Sequence, residues 1–367
     1  MLYKIADLIV KMNPQYDPLT FQATQYLVSG DFDVDIDIPD LSEHVQKYQH
    51  ENNHLTLGEA EYMIYGSYFY TKLIKFNGFF LHSSAVVYQD KAYLFSAPSG
   101  TGKSTHAALW ATNLNAYILN DDKPAIRLIN DKFIVYGTPF TGKTNTGVNK
   151  KVELGNIIFL ERSLENYIHQ ISNEQSLKFF LRETIRPFKE ENMELVLNLY
   201  QKLATKHPFY LLGCNVSIDA LYTALHGLNL ISSIEKTLLT KGFVVTNVYG
   251  RSMLPLLREN IDQVLIKKTD TYHIYDVVLF KSNDKLVLHR IIKIKGDTYY
   301  ITGDNQYKLE HVYKNQIKGK MKAFYKEGKE IPVNDTEYLK YVKRITRTRL
   351  LRAIIRKLSK KKGNHQI

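Results

Sequence analysis

Residues Phe95 to Trp110 read FSAPSGTGKSTHAALW. The apolar run ending at Ser96 has strand character, the loop Ser99 to Gly102 carries two glycines, and Lys103-Ser104 opens a helical stretch. Strand, glycine loop, Lys-Ser and helix is the order that a phosphate-binding loop requires. Glycines let backbone N–H groups turn inward around phosphate oxygens, and a helix N-terminus adds positive potential there. The pattern predicts that Ser99, Gly100, Thr101, Gly102, Lys103, Ser104 and Thr105 hold ATP. Lys103 reaches the outer phosphates and Ser104 supplies an oxygen to Mg²⁺. Ala97 stands where such loops usually carry their first glycine.

Working outward, YILNDDKP puts Asp121 and Asp122 at the end of the next apolar run, eighteen and nineteen residues after Lys103. Adjacent residues at a strand end point in different directions. One carboxylate can therefore hold Mg²⁺ while the other takes a proton from an attacking hydroxyl. Upstream, LHSSAVVYQ and KAYLFSAP read as two strands joined at Asp90-Lys91, after a helix over about 57–76. Downstream, AYILN, KFIVYG and NIIFLE read as strands. Helical stretches follow at about 174–186, 190–206 and 217–228. Strand and helix signals alternating over 80–230 predict an α/β domain. The stretch Gly30 to Asp40, GDFDVDIDIPD, alternates acidic and apolar residues over 31–38 and reads as a strand with one wet face.

The segment from Leu81 to Asp122 resembles the HPr kinase/phosphorylase group and the related ATP-dependent phosphoenolpyruvate carboxykinases. That group carries a histidine on the strand before the phosphate loop, a GxSGxGKS loop and an Asp-Asp strand end. Here His82 precedes Lys103 by twenty-one residues. The resemblance implies that His82 lies beside the phosphates, that Asp121 is the base and that Asp122 is the Mg²⁺ ligand. A purely structural histidine at the strand start is the other reading of His82. The resemblance covers roughly 60–190 and weakens afterwards, where VYGTPFTGKTNTG (Val135 to Gly147, with Lys143) replaces the glycine-rich signature of true HPr kinases. HPr itself is therefore not the expected substrate. HPr-kinase-like proteins of modified-peptide biosynthesis look closer.

Beyond Phe243 the texture changes. Short β-rich runs (FVVTNVY, QVLIKK, DVVLFK, KLVLHRIIKI, TYYITGD, IKGKMKAFYK) alternate with turn residues, which predicts a small, mostly antiparallel β domain. Ser252 lies in a G-x-S-M-x-P loop, His289 follows thirty-seven residues later in LVLHRII, and ITGDNQYKLEHV supplies Asp304 and Glu310. A serine hydroxyl needs a base within hydrogen-bond reach to act as a nucleophile. Histidine suits that task near neutral pH, and a carboxylate can orient it. Lys285, four residues before His289, is the rival base, but along a strand the two stand roughly 13 Å apart and cannot serve one serine.

This arrangement resembles the type I signal peptidases, in particular the archaeal and endoplasmic-reticulum type, over Phe243 to Pro332. Those enzymes have S-M-x-P, then H-R on a strand, then G-D-N and a second acid. Carried over, Ser252 is the nucleophile, His289 the base, and Asp304 and Glu310 the supporting acids, with Glu310 standing where the family commonly has Asp. Signal peptidases usually carry a transmembrane helix before the serine motif. IEKTLLTKGFVV occupies that place and is too short and too charged to span a bilayer.

The chain has 367 residues, 44% hydrophobic and 23% charged, enough for two or three domains with real cores. A single cysteine, Cys214, excludes a disulfide scaffold and is compatible with a reducing cytoplasm. The first fourteen residues are too short and too interrupted by charge for a secretory signal. The formal net charge is +12. Over 337–367, eleven basic residues from Lys340 to Lys362 stand against Glu337 alone, a net +10. Leu350, Leu351, Ile354, Ile355 and Leu358 recur there at helical spacing. Such a basic amphipathic segment reads as an anchor on an anionic membrane surface, as a helix packed on its own domain, or as a nucleic-acid arm. Beyond Tyr341 the segment lacks aromatics to stack on bases, which counts against the last, and no nucleic-acid partner is expected. The body of the chain carries only +2.

The sequence thus predicts an α/β P-loop (PEP carboxykinase-like) domain followed by a small, mostly-β signal peptidase-like domain and a basic C-terminal helix. The expected segments are 1–58 (β-rich), 59–235 (ATP-binding), 241–333 (peptidase-like) and 337–367 (basic tail). The expected function is a two-module, cytoplasmic or membrane-peripheral enzyme that handles a peptide or precursor protein. It would bind ATP and Mg²⁺, phosphorylate a hydroxyl and cleave a peptide bond. A nucleotide-gated peptide-binding module without proteolysis is the alternative. A LexA-like self-cleaving regulator would need a helix-turn-helix, and the first eighty residues show no convincing one.

Overall fold

The strand that feeds the phosphate loop is an inner strand of a large mixed sheet, and its neighbours explain the rest of the first unit. The computed structural model describes residues 1–142, 145–187, 189–283 and 285–349. It divides into two units, 1–227 and 228–367.

In the first unit the strands are β1 (Leu2–Ile5), β2 (Leu8–Lys11), β3 (Ile36–Asp37), β4 (Gly78–Phe80), β5 (Ser83–Tyr88), β6 (Lys91–Ser96), β7 (Tyr117–Asn120), β8 (Ala125–Ile129), β9 (Lys132–Tyr136), β10 (Lys151–Arg162), β11 (Tyr167–Gln170) and β12 (Phe209–Cys214). The helices are α1 (Leu19–Ala23), α2 (Ser42–Glu51), α3 (Leu57–Leu73), α4 (Lys103–Asn113), α5 (Asn173–Glu183), α6 (Glu190–Lys206) and α7 (Ile218–Gly227). Nine strands form one sheet in the order β4-β8-β9-β10-β6-β5-β7, with β12 also pairing β10 and β11 pairing β12. The register decides the site. β5 runs antiparallel to both β6 and β7, with Ser83 opposite Ser96 and Ala85 opposite Asn120. The carboxyl ends of β6 and β7 and the amino end of β5 therefore meet at one sheet edge. His82, the phosphate loop and Asp121-Asp122 follow directly from those three ends. Ligands of open α/β sheets bind at such an edge.

One face of this sheet packs a core of Leu94, Ile157 and Phe159 against Phe180 and Leu199 of α5 and α6. A second core joins the amino-terminal strands to α3 through Tyr26, Phe69 and Tyr70. This is why 1–58 does not stand apart. Helix α3 starts on a reciprocal capping box, with Glu59 N–H donating to the Thr56 hydroxyl and Thr56 N–H to the Glu59 carboxylate. The Asp-rich strand expected over 31–38 is realised only as β3, which pairs parallel with β2. Ile36 and Ile38 enter the core, but Phe32 and Val34 remain exposed, so the apolar side of the alternation is covered only over its second half.

The second unit contains α8 (Ser233–Lys241), strands β13 (Phe243–Asn247), β14 (Gln263–Lys267), β15 (Val277–Ser282), β16 (Lys285–Lys295), β17 (Thr298–Thr302), β18 (Glu310–Tyr313), β19 (Ile317–Lys326) and β20 (Lys329–Pro332), and α9 (Thr336–Arg347). The strands form one antiparallel sheet in the order β13-β14-β19-β15-β16-β17-β18, with β20 on β19. Strands β18 and β20 were not predicted. Leu238 of α8 and Tyr338 and Val342 of α9 are buried in the core of this unit. The basic segment thus begins as a helix packed on its own domain. Residues 350–367, which hold Leu350, Leu351, Ile354, Ile355, Leu358 and the basic residues from Arg352 to Lys362, lie outside the described residues. So does Lys143. Among the described residues no helix is long and apolar enough to cross a membrane.

Candidate functional sites

The first site is a cavity of about 800 Å³ at the sheet edge. Its walls include His82, the phosphate loop from Ser99 to Thr105 except Thr101, Asp121, Asp122, Lys123, Arg182 and Glu183. Gly100 and Gly102 take φ of +75° and +119°, a backbone that side-chain-bearing residues rarely adopt, and a Cβ at either would meet nothing within 4 Å. The loop is therefore open on the side where phosphate oxygens would sit. α4 starts at Lys103, so its first-turn N–H groups, which lack partners inside a helix, face the loop. Lys103 Nζ donates to the carbonyls of Ala97 (2.8 Å) and Pro98 (3.4 Å). Burial depresses the Lys103 pKa, partly offset by Glu183, Asp122 and Asp121. These features fit a nucleotide triphosphate: an open cradle of positive-φ glycines with a buried ammonium at its rim.

Asp122 is the electrostatic centre of this site. It receives the Tyr62 hydroxyl on Oδ2 at 2.6 Å, ion-pairs with Lys123 there, and lies with Oδ1 3.3 Å from His82 Nε2. Burial alone would raise its pKa, but the His82 contact and the Lys123 ammonium hold the carboxyl well below the usual range. Asn120 Oδ1 accepts the N–H groups of Asp122 and Lys123 at 2.9 Å each, which fixes the turn after β7. Asp121 accepts the Ser84 hydroxyl on Oδ1 at 2.5 Å. His82 Nδ1 lies 3.1 Å from Glu183 Oε2 at the end of α5, and Glu183 Oε1 accepts from Arg182 Nε at 2.9 Å. Burial lowers the His82 pKa, and the two carboxylates more than reverse this, so the net direction is up. The three positions singled out in the sequence, His82, Lys103 and the Asp pair, are brought together. Tyr62, Ser84, Lys123 and Glu183 were not foreseen. Among the described residues no three His, Cys, Asp or Glu side chains gather as a metal cage. Mg²⁺ needs no such cage, since it keeps waters and takes one or two carboxylates beside phosphate oxygens, a set that Ser104 and Asp122 can complete.

The second site is built on the β unit. The segment between β13 and β14 carries Ser252, and the Gly303-Asp304-Asn305 turn after β17 is clasped to it. Asn305 N–H donates to the Ser252 carbonyl at 2.7 Å, and Asn305 Nδ2 to the Arg251 carbonyl at 3.1 Å. Gly303 explains the clasp. A Cβ there would stand 3.0 Å from Ser252 Cβ and 3.1 Å from His289 Nε2. The serine and the imidazole thus converge on the bare face of one glycine. His289 is buried in β16, with Nε2 lacking a hydrogen-bond partner. Its Nδ1 lies 2.9 Å from Glu310 Oε1, at ion-pair distance without the alignment of a hydrogen bond. Burial pushes the His289 pKa down, against the opposing charge of Glu310.

The two acids expected behind the histidine therefore part company. Glu310 faces His289. Asp304 accepts from Arg290 Nε (2.8 Å) and Nη2 (2.7 Å), and from the Tyr341 hydroxyl (2.9 Å). Arg290 is fully buried and also donates to the Tyr275 carbonyl and the Tyr338 hydroxyl, each at 3.0 Å. His289 and Arg290 are consecutive on a strand and face opposite sides, so the acid that meets one does not meet the other. Lys285 sits exposed at the far end of β16, opposite Ser282.

No protein-family model matches the chain, and no curated protein matches it. Among solved structures it is similar to the HPr(Ser) kinase/phosphatase from Coxiella burnetii, at 15% identity and a TM-score of 0.20, over 35% of this chain and 97% of that one.

Proposed function

We propose that the chain is a two-module enzyme: the first unit transfers a phosphoryl group from ATP to a hydroxyl of a peptide or protein, and the second cleaves a peptide or precursor protein. The observation that carries the first half is the convergence of His82, Lys103, Ser104, Asp121 and Asp122 on one cavity. Residues Ser99–Thr105 would hold the triphosphate, with Ser104 and Asp122 on Mg²⁺, which when bound draws charge from the phosphoryl oxygens. Asp122, held anionic by its cationic neighbours, suits a metal and is a poor base. Asp121, oriented by Ser84, takes the proton of the acceptor hydroxyl as its oxygen bonds to the γ-phosphorus, and the bond from that phosphorus to the bridging oxygen breaks to release ADP. His82, raised in pKa, adds positive charge beside the phosphates.

The second half rests on Ser252 and His289 meeting at Gly303 with Glu310 behind. A neutral His289 accepts the Ser252 proton at Nε2 as the oxygen bonds to the substrate carbonyl carbon. The C–N bond then breaks, and the imidazolium returns that proton to the leaving amine. Water, deprotonated by the same nitrogen, hydrolyses the acyl-serine and restores the hydroxyl. Glu310 steadies the transient imidazolium. Long or poorly aligned hydrogen bonds are common in catalytic sites before substrate binds, so the loose Nδ1 geometry does not count against this role.

Labelled ATP and a serine-directed phosphonate test both halves on the intact chain. Phosphoryl transfer should vanish in Asp121→Asn and in Lys103→Ala. Phosphonate labelling should map to Ser252 and be lost in His289→Ala. Transfer that survives Asp121→Asn sinks the first half. A chain that binds peptide but never labels at Ser252 is instead the nucleotide-gated binding module.

A further inference from the structure

The amphipathic helix α9 has one face accounted for and one that is not. Tyr338, Val342 and Ile345 are buried in the β unit. Lys340, Lys343, Arg344 and Arg347 recur at i, i+3, i+4 and i+7, on the opposite face. They line a shallow concavity of about 450 Å³ with Thr348. Lys340 pairs with Glu337 at 2.7 Å, and among the described residues no carboxylate pairs with the other three. Four cations within about two turns repel one another. An anionic partner would relieve that repulsion more fully than dissolved counterions do.

The end of this stripe is tied to the serine loop. Arg349 Nη1 donates to the Tyr307 carbonyl at 3.0 Å, and Tyr307 follows two residues after Asn305, which clasps Ser252. Tyr307 is 51% exposed, and Tyr249, three residues before Ser252, is 72% exposed. Cations beside exposed tyrosines match the chemistry of a bilayer surface, where lysine and arginine meet lipid phosphates and tyrosine sits at headgroup level. The sequence continues past Thr348 with six further basic residues after Arg349, five aliphatic Leu and Ile in 350–358, and no acid. Nucleic acid or an acidic peptide would satisfy the charge but leave the aliphatic residues without a role.

We propose that the basic face of α9 docks on the anionic surface of a lipid bilayer and holds the Ser252 loop against it. The docking does not depend on proteolysis, so its failure and that of the peptidase reading are distinguishable. The probe is vesicles of phosphatidylcholine with about 30% phosphatidylglycerol, co-sedimented with the full chain. Binding should appear at about 50 mM salt, fade at about 500 mM, and be absent on pure phosphatidylcholine. The variant K340Q/K343Q/R344Q/R347Q, altered only at exposed positions, should bind at least about tenfold more weakly. Unchanged binding in this variant overturns the proposal, because residues beyond Thr348 would then suffice. A second readout places the serine loop. Brominated lipid should quench a Tyr307→Trp protein above the background of Trp110, which is fully buried. Bound protein without that quenching overturns the orientation. Equal or tighter binding to an oligonucleotide or to polyglutamate, lost in the same variant, overturns the membrane assignment.

Discussion

The two sites each set a histidine against carboxylates, and the protein gives the two imidazoles opposite tendencies. The side chain of His82 is 27% exposed and touches two acids, Asp122 at 3.3 Å and Glu183 at 3.1 Å. The side chain of His289 is 4% exposed and touches one, Glu310 at 2.9 Å. Desolvation disfavours the charged imidazole in both places. Two acids with some solvent overcome it, and one acid in a dry pocket does not, so the pKa rises for His82 and falls for His289. An imidazole biased toward its charged form suits a phosphate site. A neutral imidazole with a bare Nε2 suits a serine that must lose its proton.

The largest effect expected from this difference is a separation of activities. His289→Ala should lower peptide cleavage by at least about 10³-fold and leave ATP-dependent transfer unchanged. His82→Ala should do the reverse, by a smaller factor, because charge is only one contribution at a phosphate. Single-turnover assays on the two substrates read both. Cleavage that survives His289→Ala but is lost in Lys285→Ala would assign the base to the lysine.

Next in size is the division between the two acids of the β unit. Asp304→Ala leaves a fully buried Arg290 without its bidentate partner, and breaking such a pair costs about 3–5 kcal/mol. Urea unfolding of the chain should show that loss in the transition of the β unit. Glu310→Gln should leave the transition nearly in place and act on catalysis instead. Glu310 raises the His289 pKa, so removing its charge lowers that pKa further and moves the acid limb of the cleavage profile to lower pH. If Asp304→Ala proves as stable as the parent, or Glu310→Gln moves no limb, the acids do not divide as the contacts indicate.

How far the sequence could carry these assignments follows from distance along the chain. The phosphate loop was legible because its chemistry is local: two positive-φ glycines, a lysine and a helix start within six residues. Asp121 and Asp122 could be paired with it because β5, β6 and β7 are short strands in tight succession. Glu183 was not legible, since it lies 101 residues from the His82 it touches and nothing in LRETIRP marks it. Tyr62 and Lys123, which hold Asp122, read as ordinary helix and turn residues. In the β unit the order Ser, His, Gly-Asp-Asn was visible, but not which acid faces the imidazole. That depends on the pleat of β16 and on β17 pairing β18, where Ile301 stands opposite Glu310. The role of Gly303 is a close approach, which only coordinates reveal. The Asp-rich run misled because alternation needs a core on one side to become a strand, and none is present beside Phe32 and Val34.

The smallest effects are the pH dependences of stability, and here the two histidines should pull in opposite directions. His82 has a folded pKa above the unfolded value of about 6.5. Its contribution is fully present below that value and is lost as pH rises through the raised folded pKa. His289 has a folded pKa below about 6.5, so its contribution is present above that value and is lost as pH falls toward the depressed one. Imidazole ¹⁵N titrations by NMR should place His82 above and His289 below the ordinary value. Glu183→Gln removes one of the two acids that outweigh burial at His82. It should bring that titration down toward or below about 6.5 while His289 stays where it is. A merely structural Glu183 would leave the midpoint unmoved, since Asp122 would then carry the shift alone. A fall in the midpoint, with phosphoryl transfer reduced most above neutral pH, identifies Glu183 as the residue that keeps His82 charged.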